Sequence, residues 1–203
     1  VLAGISHDLR TPLARLRLES EMSIHNNDAR DAVIEDIEQM DTIIGQFLNY
    51  ARSESAEGAE LSDINALLNL LASAQGRSST PPHLVLGALP ITMIQPKAFS
   101  RALVNLLENA RKYGGNEITV ETRSENGEIM IDVLDRGPGI PESEIERMKR
   151  PFTRLENART NATGTGLGLA IVERIARLHG GRLELLAREG GGLIARLCLP
   201  VRV

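Results

Sequence analysis

Ile129-Met130-Ile131-Asp132-Val133-Leu134 runs directly into Asp135-Arg136-Gly137-Pro138-Gly139-Ile140-Pro141. The first six residues place apolar side chains in the period-two manner of a half-buried strand, and the glycines and prolines behind them end it. Residues 118–122 alternate likewise, residues 84–94 read as strand, and two more strands are expected near 182–187 and 193–199. Helical patterns separate them. Asp63 can cap a helix carrying Leu67, Leu68 and Leu71. Pro96 suits the first turn of a helix with Phe99, Leu103, Leu106 and Leu107. Residues 142–150 predict a short polar helix, and another helix follows Gly166. Gly190-Gly191-Gly192, between the last two strands, reads as turn material with no ligand role expected. Segregated helices on an antiparallel or mixed sheet predict an α/β sandwich over residues 63–203.

Upstream the pattern changes. Residues 52–62 are small, polar and contain Gly58, a linker composition. Before them the chain reads all-helical. Leu2, Ile5, Leu9 and Leu16 recur at helical spacings, a polar break follows at His25-Asn26-Asn27-Asp28, and Val33, Ile37, Met40, Ile44, Phe47 and Ala51 form a heptad seam. Two such helices predict a hairpin, and a lone hairpin cannot bury both apolar faces. Dimerisation into a four-helix bundle is the economical solution. The expected organisation is therefore a helical domain over residues 1–55, a linker over 56–62 and the α/β domain from 63.

Composition narrows the function. The 203 residues are 42 % hydrophobic and 25 % charged, with a net charge of −4, no Trp, two Tyr and three Phe. A basic footprint for nucleic acid is therefore not indicated, and stacking aromatics are scarce. Cys198 is the sole cysteine and sits in an apolar run, so it reads as a buried, inert thiol in a reducing compartment. No run of residues reaches the ~18 apolar residues of a membrane span. The chain begins at Val1 inside a helical pattern, and the expectation is a cytosolic fragment of something longer.

With Leu2 and Leu9 at heptad position a, His7 falls at f, farthest from the seam. A core histidine is thus disfavoured, leaving a solvated surface residue or a functional one. Thr11, four residues on, shares its helix face. Pro12 removes an N–H, frees the Asp8 carbonyl and is expected to bend the helix. Such a proline costs up to ~3 kcal/mol, a local conflict of the kind that marks functional positions. Imidazole, with a free pKa near ~6.5, is mostly neutral at pH 7 and can attack phosphorus without a strong base. Asp8 is next to it in sequence and could hold one ring N–H. His25, His83 and His179 show no metal-ligand spacing relative to His7.

Ser6-His7-Asp8-Leu9-Arg10-Thr11-Pro12-Leu13 resembles the phosphoacceptor box of bacterial sensor histidine kinases, and Arg15-Leu16-Arg17-Leu18 with Glu21-Met22 resembles the EnvZ-type osmosensor kinases in particular. The resemblance extends over almost the whole chain. Asn105-Leu-Leu-Glu-Asn109-Ala-Arg111-Lys112-Tyr113 is similar to the family's asparagine box, Asp135-Arg-Gly137-Pro-Gly139-Ile140 to its first glycine box, Pro151-Phe152-Thr153-Arg154 to its phenylalanine box, and Gly164-Thr165-Gly166-Leu167-Gly168-Leu169 to its second glycine box. Each element alone is weak; the four in this order are specific. The polar, aperiodic residues 155–163 look like a lid.

The resemblance implies a dimerising histidine-phosphotransfer hairpin and an ATP-binding α/β sandwich of the histidine kinase, gyrase and Hsp90 type. It implies ATP and Mg²⁺ as cofactors, with Asn109 as the metal ligand, Asp135 reading the adenine amino group, and the remaining box residues from Asn105 to Leu169 lining the nucleotide. It implies autophosphorylation of His7, with Asp8 assisting and Thr11 serving dephosphorylation. The implied partners are a second copy of the chain and an OmpR-like response regulator, with no nucleic acid, and a membrane reached only through an N-terminal sensor region outside this sequence. The protein is then the cytoplasmic portion of an inner-membrane sensor. Two rivals stand beside this reading. One is a binding module in which ATP acts only as a conformational ligand. The other is an ATPase that hydrolyses ATP directly, disfavoured because Asn105 stands where such enzymes carry a general-base Glu, and an amide cannot deprotonate water.

Overall fold

The computed structural model describes residues 2–24, 27–51, 58–75, 80–155 and 165–202. It divides into two compact units, Val1–Ser53 and Glu54–Val203.

The first unit is a helical hairpin of α1 (Leu2–Ser23) and α2 (Asn27–Ala51). Pro12 lies inside α1. Leu13 and Ser20, seven residues apart, are buried, as is Ile37 on α2. Each such aliphatic side chain contributes about 1.5–3 kcal/mol on leaving water. The Arg17 guanidinium bridges the helices to Glu38 at 2.9 Å. The expected seam is thus only partly satisfied within the hairpin. Leu16 (48 % exposed), Met40 (43 %) and Phe47 (42 %) face outward, and Leu13 takes the place expected of Leu16. One neighbouring helix can cover only one flank of a heptad stripe, so the other flank stays in water.

In the second unit β1 (Glu60–Ser62) pairs antiparallel with β3 (Thr92–Ile94) in a two-stranded sheet. The main sheet contains β2 (His83–Leu86), β4 (Thr119–Glu125), β5 (Glu128–Leu134), β6 (Arg182–Ala187) and β7 (Leu193–Pro200). Its order is β2-β4-β5-β7-β6, with β2 and β4 parallel and all other neighbours antiparallel. Alternate residues Val120, Ile129, Ile131, Val133, Leu183, Leu185, Ala195, Leu197 and Leu199 are buried. They build the core with α3 (Ile64–Gln75), α4 (Pro96–Gly114) and α6 (Gly168–Leu178), which supply Ile64, Leu68, Phe99, Leu103, Leu106, Leu107, Ile171, Val172 and Ile175. Between β5 and α6 lie a 3₁₀ turn, Glu142–Glu144, and the short α5 (Ile145–Met148). Asp63 caps α3 as expected, its Oδ1 accepting the Ala66 N–H at 3.0 Å, and Pro96 opens α4.

Two expectations are corrected. Residues 84–94 form two strands in different sheets. Between them Gly87 donates to the Thr122 carbonyl at 3.0 Å, and a Cβ on Gly87 would lie 2.5 Å from that oxygen. Pro90, lacking an N–H, suits the crossing rather than a ladder. Residues 60–62, expected in the linker, are β1; their pairing with β3 is a non-local contact that a short polar strand does not advertise.

Two buried polar side chains, His179 and Asp132, have defined partners. His179 is buried; its Nε2 accepts the Gln95 N–H at 3.0 Å, so Nδ1 carries the proton and donates to the Ile175 carbonyl at 2.8 Å. A neutral imidazole thus ties the end of α6 to the start of α4, with Phe99 edge-on at 5.6 Å. His83 is exposed on β2, and His25 lies outside the described residues. Cys198 is buried as expected, and its thiol is pushed up first by burial and then by Glu184.

Asp132 on β5 is 3 % exposed and accepts from Arg196 Nε (2.8 Å) and Nη2 (3.0 Å) on β7 and from Arg123 Nη1 (2.8 Å) on β4. Burial pushes its carboxyl up, but the hydrogen bonds from Arg196 and Arg123 outweigh that and hold it below the ordinary carboxylate value. A lowered folded-state pKa contributes stability that is full above the unfolded value near ~3.9 and is lost as pH falls through the folded one. Asp132→Asn is therefore expected to cost about 2 kcal/mol at pH 7, with the difference from the parent shrinking below pH ~3.9. Urea unfolding at both pH values checks this; an equal difference at both contradicts it.

Candidate functional site

Asn105 and Asn109 are four residues apart on α4, so their side chains share a face. Asn105 Nδ2 donates to the Arg101 carbonyl at 2.8 Å, which turns its Oδ1 the other way. Both amides converge on Gly168, the first residue of α6. A Cβ there would lie 3.1 Å from Asn109 Nδ2, 3.2 Å from Asn109 Oδ1 and 3.4 Å from Asn105 Oδ1. Only the missing side chain lets the two carboxamides stand against the helix start. Leu167 before it is fully buried and gives no side-chain cap, so the first-turn N–H groups of α6 keep their hydrogen-bonding capacity for an anion. Carboxamide oxygens are hard, neutral ligands suited to Mg²⁺ alongside phosphate, so this donor set fits the implied metal.

Gly166 meets Phe152 and Thr153 across the sequence between them. Gly166 has a φ of +70° and packs on the phenylalanine-box turn, where a Cβ would lie 2.7 Å from the Thr153 carbonyl oxygen. Phe152 has a φ of +60° and is 57 % exposed. A left-handed conformation in a bulky residue costs of order 1–3 kcal/mol. Thr165, Leu169 and Arg154 are half-buried around this junction, and Gly164 lies outside the described residues.

Two cations meet at the C-terminal end of α4. The Lys112 ammonium is held below its ordinary value first by partial desolvation and then by the Arg154 cation, and its Nζ sits 5.2 Å from the Tyr113 ring centre. Lys112 and Tyr113 are both exposed. Arg111 instead reaches the Thr80 carbonyl at 3.4 Å, a contact with the chain itself.

Asp135 closes the other end. It is 5 % exposed, and its Oδ1 accepts N–H groups from Gly137 (2.8 Å) and Leu193 (3.2 Å). Because one oxygen takes both bonds, Oδ2 is left to a ligand donor. A Cβ on Gly114 would collide with the Asp135 side chain, and one on Gly137 with the Tyr113 carbonyl. The end of α4 and the loop after β5 therefore touch backbone to backbone. Gly139 and Ile140 continue that loop, both half-buried. Gly114 and Arg188, which also build this corner, have no role assigned from the sequence, and Gly192 is expected only as turn material. Gly114 carried a signal, a glycine at a helix end; Arg188 carried none.

In the helical unit, His7 and Asp8 belong to α1, but the placement of their side chains lies outside what is described. Thr11 is exposed on the same helix. Among the described residues no three His, Cys, Asp or Glu side chains converge as a metal site, and no helix is long and apolar enough to cross a membrane.

Comparison with known proteins bears on both units. Residues 94–203 match the family model described as histidine kinase-, DNA gyrase B-, and HSP90-like ATPase, and residues 1–56 match the His Kinase A (phospho-acceptor) domain. Sensor histidine kinase GtrS of Pseudomonas aeruginosa is 34 % identical over 98 % of this chain and 41 % of its own length. Sensor protein KdpD of Escherichia coli is 34 % identical over 98 % of this chain and 24 % of its own. The chain thus spans less than half the length of these two relatives. The solution structure of the histidine kinase domain of the E. coli osmosensor EnvZ is 36 % identical, with a TM-score of 0.56 over 75 % of this chain and 93 % of that one. Full-length ShkA in complex with AMPPNP, 22 % identical, shares the fold with a TM-score of 0.76 over all of this chain and 46 % of that one.

Proposed function

The chain belongs to the bacterial sensor histidine kinases, carrying their phospho-acceptor and ATPase domains, and from that premise we propose that it transfers the γ-phosphoryl group of ATP to His7 and then to an aspartate of a response regulator. The observation that carries this is the convergence of the Asn105 and Asn109 carboxamides on Gly168 at the start of α6. That is a seat for a metal-bound polyphosphate, and Asp135 supplies a carboxylate for the adenine amino group. Guanine presents a carbonyl at that position and would be repelled.

Asn109 would hold Mg²⁺ through its carboxamide oxygen, and the metal would offset the phosphate charge. Lys112 and Arg154 add positive charge for the phosphates; Tyr113, Ile140 and Phe152 flank the base and ribose. His7 attacks phosphorus with one ring nitrogen while Asp8 holds the proton on the other; the N–P bond forms as the bond to the ADP oxygen breaks. Positioning and charge neutralisation provide most of the rate in such transfers. Asn105, an amide rather than a carboxylate, argues against direct activation of water.

The outward-facing half of the heptad stripe, Leu16, Met40 and Phe47, supports a second copy of the chain as the hairpin's partner. We assign the regulator to the OmpR-like class and the chain to the EnvZ-type kinases, supported by the 36 % identity to the EnvZ kinase domain and by the hairpin motifs. A membrane would be reached through a sensor region outside this sequence. Residues 1–55, 56–62 and 63–203 are proposed as the functional divisions, with the β1 correction noted above.

The test is a relay. Chain labelled from γ-labelled ATP should pass its label to an OmpR-type receiver domain, as an acyl phosphate cleaved by hydroxylamine. Label that never leaves the chain, or never enters it, contradicts the proposal. Thr11, exposed on α1 four residues after His7, would orient water on the phosphorylated regulator. Thr11→Ala should lower dephosphorylation of the regulator about tenfold or more while autophosphorylation changes less than about twofold. Equal losses of both activities contradict that role.

A further inference from the structure

The β6–β7 turn does more than join two strands. The β5–β7 ladder ends at Asp135, whose N–H donates to the Leu193 carbonyl at 3.0 Å. Beyond that bond the Asp135 carbonyl has no strand opposite it, because the partner chain segment turns away at Gly192. Arg188 fills the gap. Its backbone N–H closes the turn on the Gly192 carbonyl at 3.2 Å, and its guanidinium Nη1 reaches across to donate to the Asp135 carbonyl at 2.9 Å. Arg136 makes the reverse reach, with Nη1 3.3 Å from the Glu189 carbonyl and 3.5 Å from that of Gly191. Any Cβ on Gly192 would collide with the Asp135 backbone. The neighbouring Leu193 N–H fixes the same Asp135 Oδ1 that Gly137 holds. The rotamer of this carboxylate is thus set by two loops, and one of them hangs on Arg188.

We infer that Arg188 is a positioning residue for adenine recognition, holding Asp135 so that Oδ2 meets the base amino group; this rests on the reading of Asp135 given above. Removing Arg188 leaves a buried carbonyl without its charged donor, a larger penalty than the bond itself. The loop then relaxes, and hydrogen bonds from Oδ2 weaken steeply as their angle departs from linear.

The test is calorimetric titration of the whole chain with ADP and with IDP, whose base carries a carbonyl where adenine carries the amino group, both with Mg²⁺. The parent is expected to prefer ADP. Arg188→Ala should weaken ADP about tenfold and IDP little, narrowing the preference about tenfold. Arg188→Lys, which retains a donor and guards against a folding defect in the alanine variant, should restore part of it. In autophosphorylation, Arg188→Ala should raise the KM for ATP and leave kcat within about twofold. Equal weakening of ADP and IDP would mean a structural role only and overturns the inference. So does an unchanged preference in Arg188→Ala when Asp135→Asn has lost it. An unchanged preference in Asp135→Asn overturns the underlying reading of Asp135, and the inference falls with it.

Discussion

His7→Ala is expected to bind ATP with the parent's affinity and to acquire no label from it. The proposed nucleotide seat is assembled from α4, α6 and the loop after β5, all within the second unit. Deleting the imidazole therefore removes the acceptor and leaves the seat. A methyl group cannot take a phosphoryl group, so the loss is complete rather than partial. Calorimetric titration with ADP should match the parent within about twofold, while acid-labile phosphate on the chain falls to background. Persisting acid-labile label would place the acceptor elsewhere. Loss of ADP affinity would mean that His7 supports the seat itself.

Asn109→Ala is expected to produce the opposite pairing: His7 is intact, but the chain is starved of a productively held nucleotide. Its carboxamide lies against the start of α6, within 3.1–3.2 Å of the space that a Gly168 side chain would occupy. Removing one such preorganised group costs about 10²–10³ in rate where it meets developing charge. Asn109 is half-buried, and alanine is the better helix former, so stability without nucleotide should change by less than about 0.5 kcal/mol. The stabilisation conferred by Mg²⁺·ADP in thermal melts should be largely lost. Labelling at the parent rate would remove Asn109 from the proposed site. A shortfall explained by a melted apo-protein would show that it only holds α4 in place.

The parts of this molecule that sequence makes legible are those governed by short periods. Asn105 and Asn109 announce a shared face because a helix repeats every ~3.6 residues, and the strands around Val120 and Ile131 announce themselves by alternation. The Asp63 cap and the Pro96 start are likewise local chemistry, and both appear as expected. What stayed hidden depends on distant pairing. Strand β1 is three residues long and exists because β3 lies beside it. Residues 84–94 contain enough apolar side chains for one strand, and only the close approach of Gly87 to Thr122, 35 residues away, shows why there are two. Arg188 meets Asp135 across 53 residues of chain, through a side chain that no motif distinguishes. The hairpin shows the same limit, since its heptads mark an apolar stripe and not which flank each neighbour covers. Leu13 is buried where Leu16 was expected.

The central step is the movement of a phosphoryl group from nucleotide to imidazole. Its most direct test is to incubate the chain with Mg²⁺ and γ-labelled ATP, then follow chain-bound and free phosphate together while mapping the modified residue by mass spectrometry. Label is expected on His7, stable to base and lost in acid, accumulating in step with ADP. Release of inorganic phosphate at the rate of ADP formation, with His7 unmodified throughout, would contradict it and identify an enzyme that hydrolyses ATP directly.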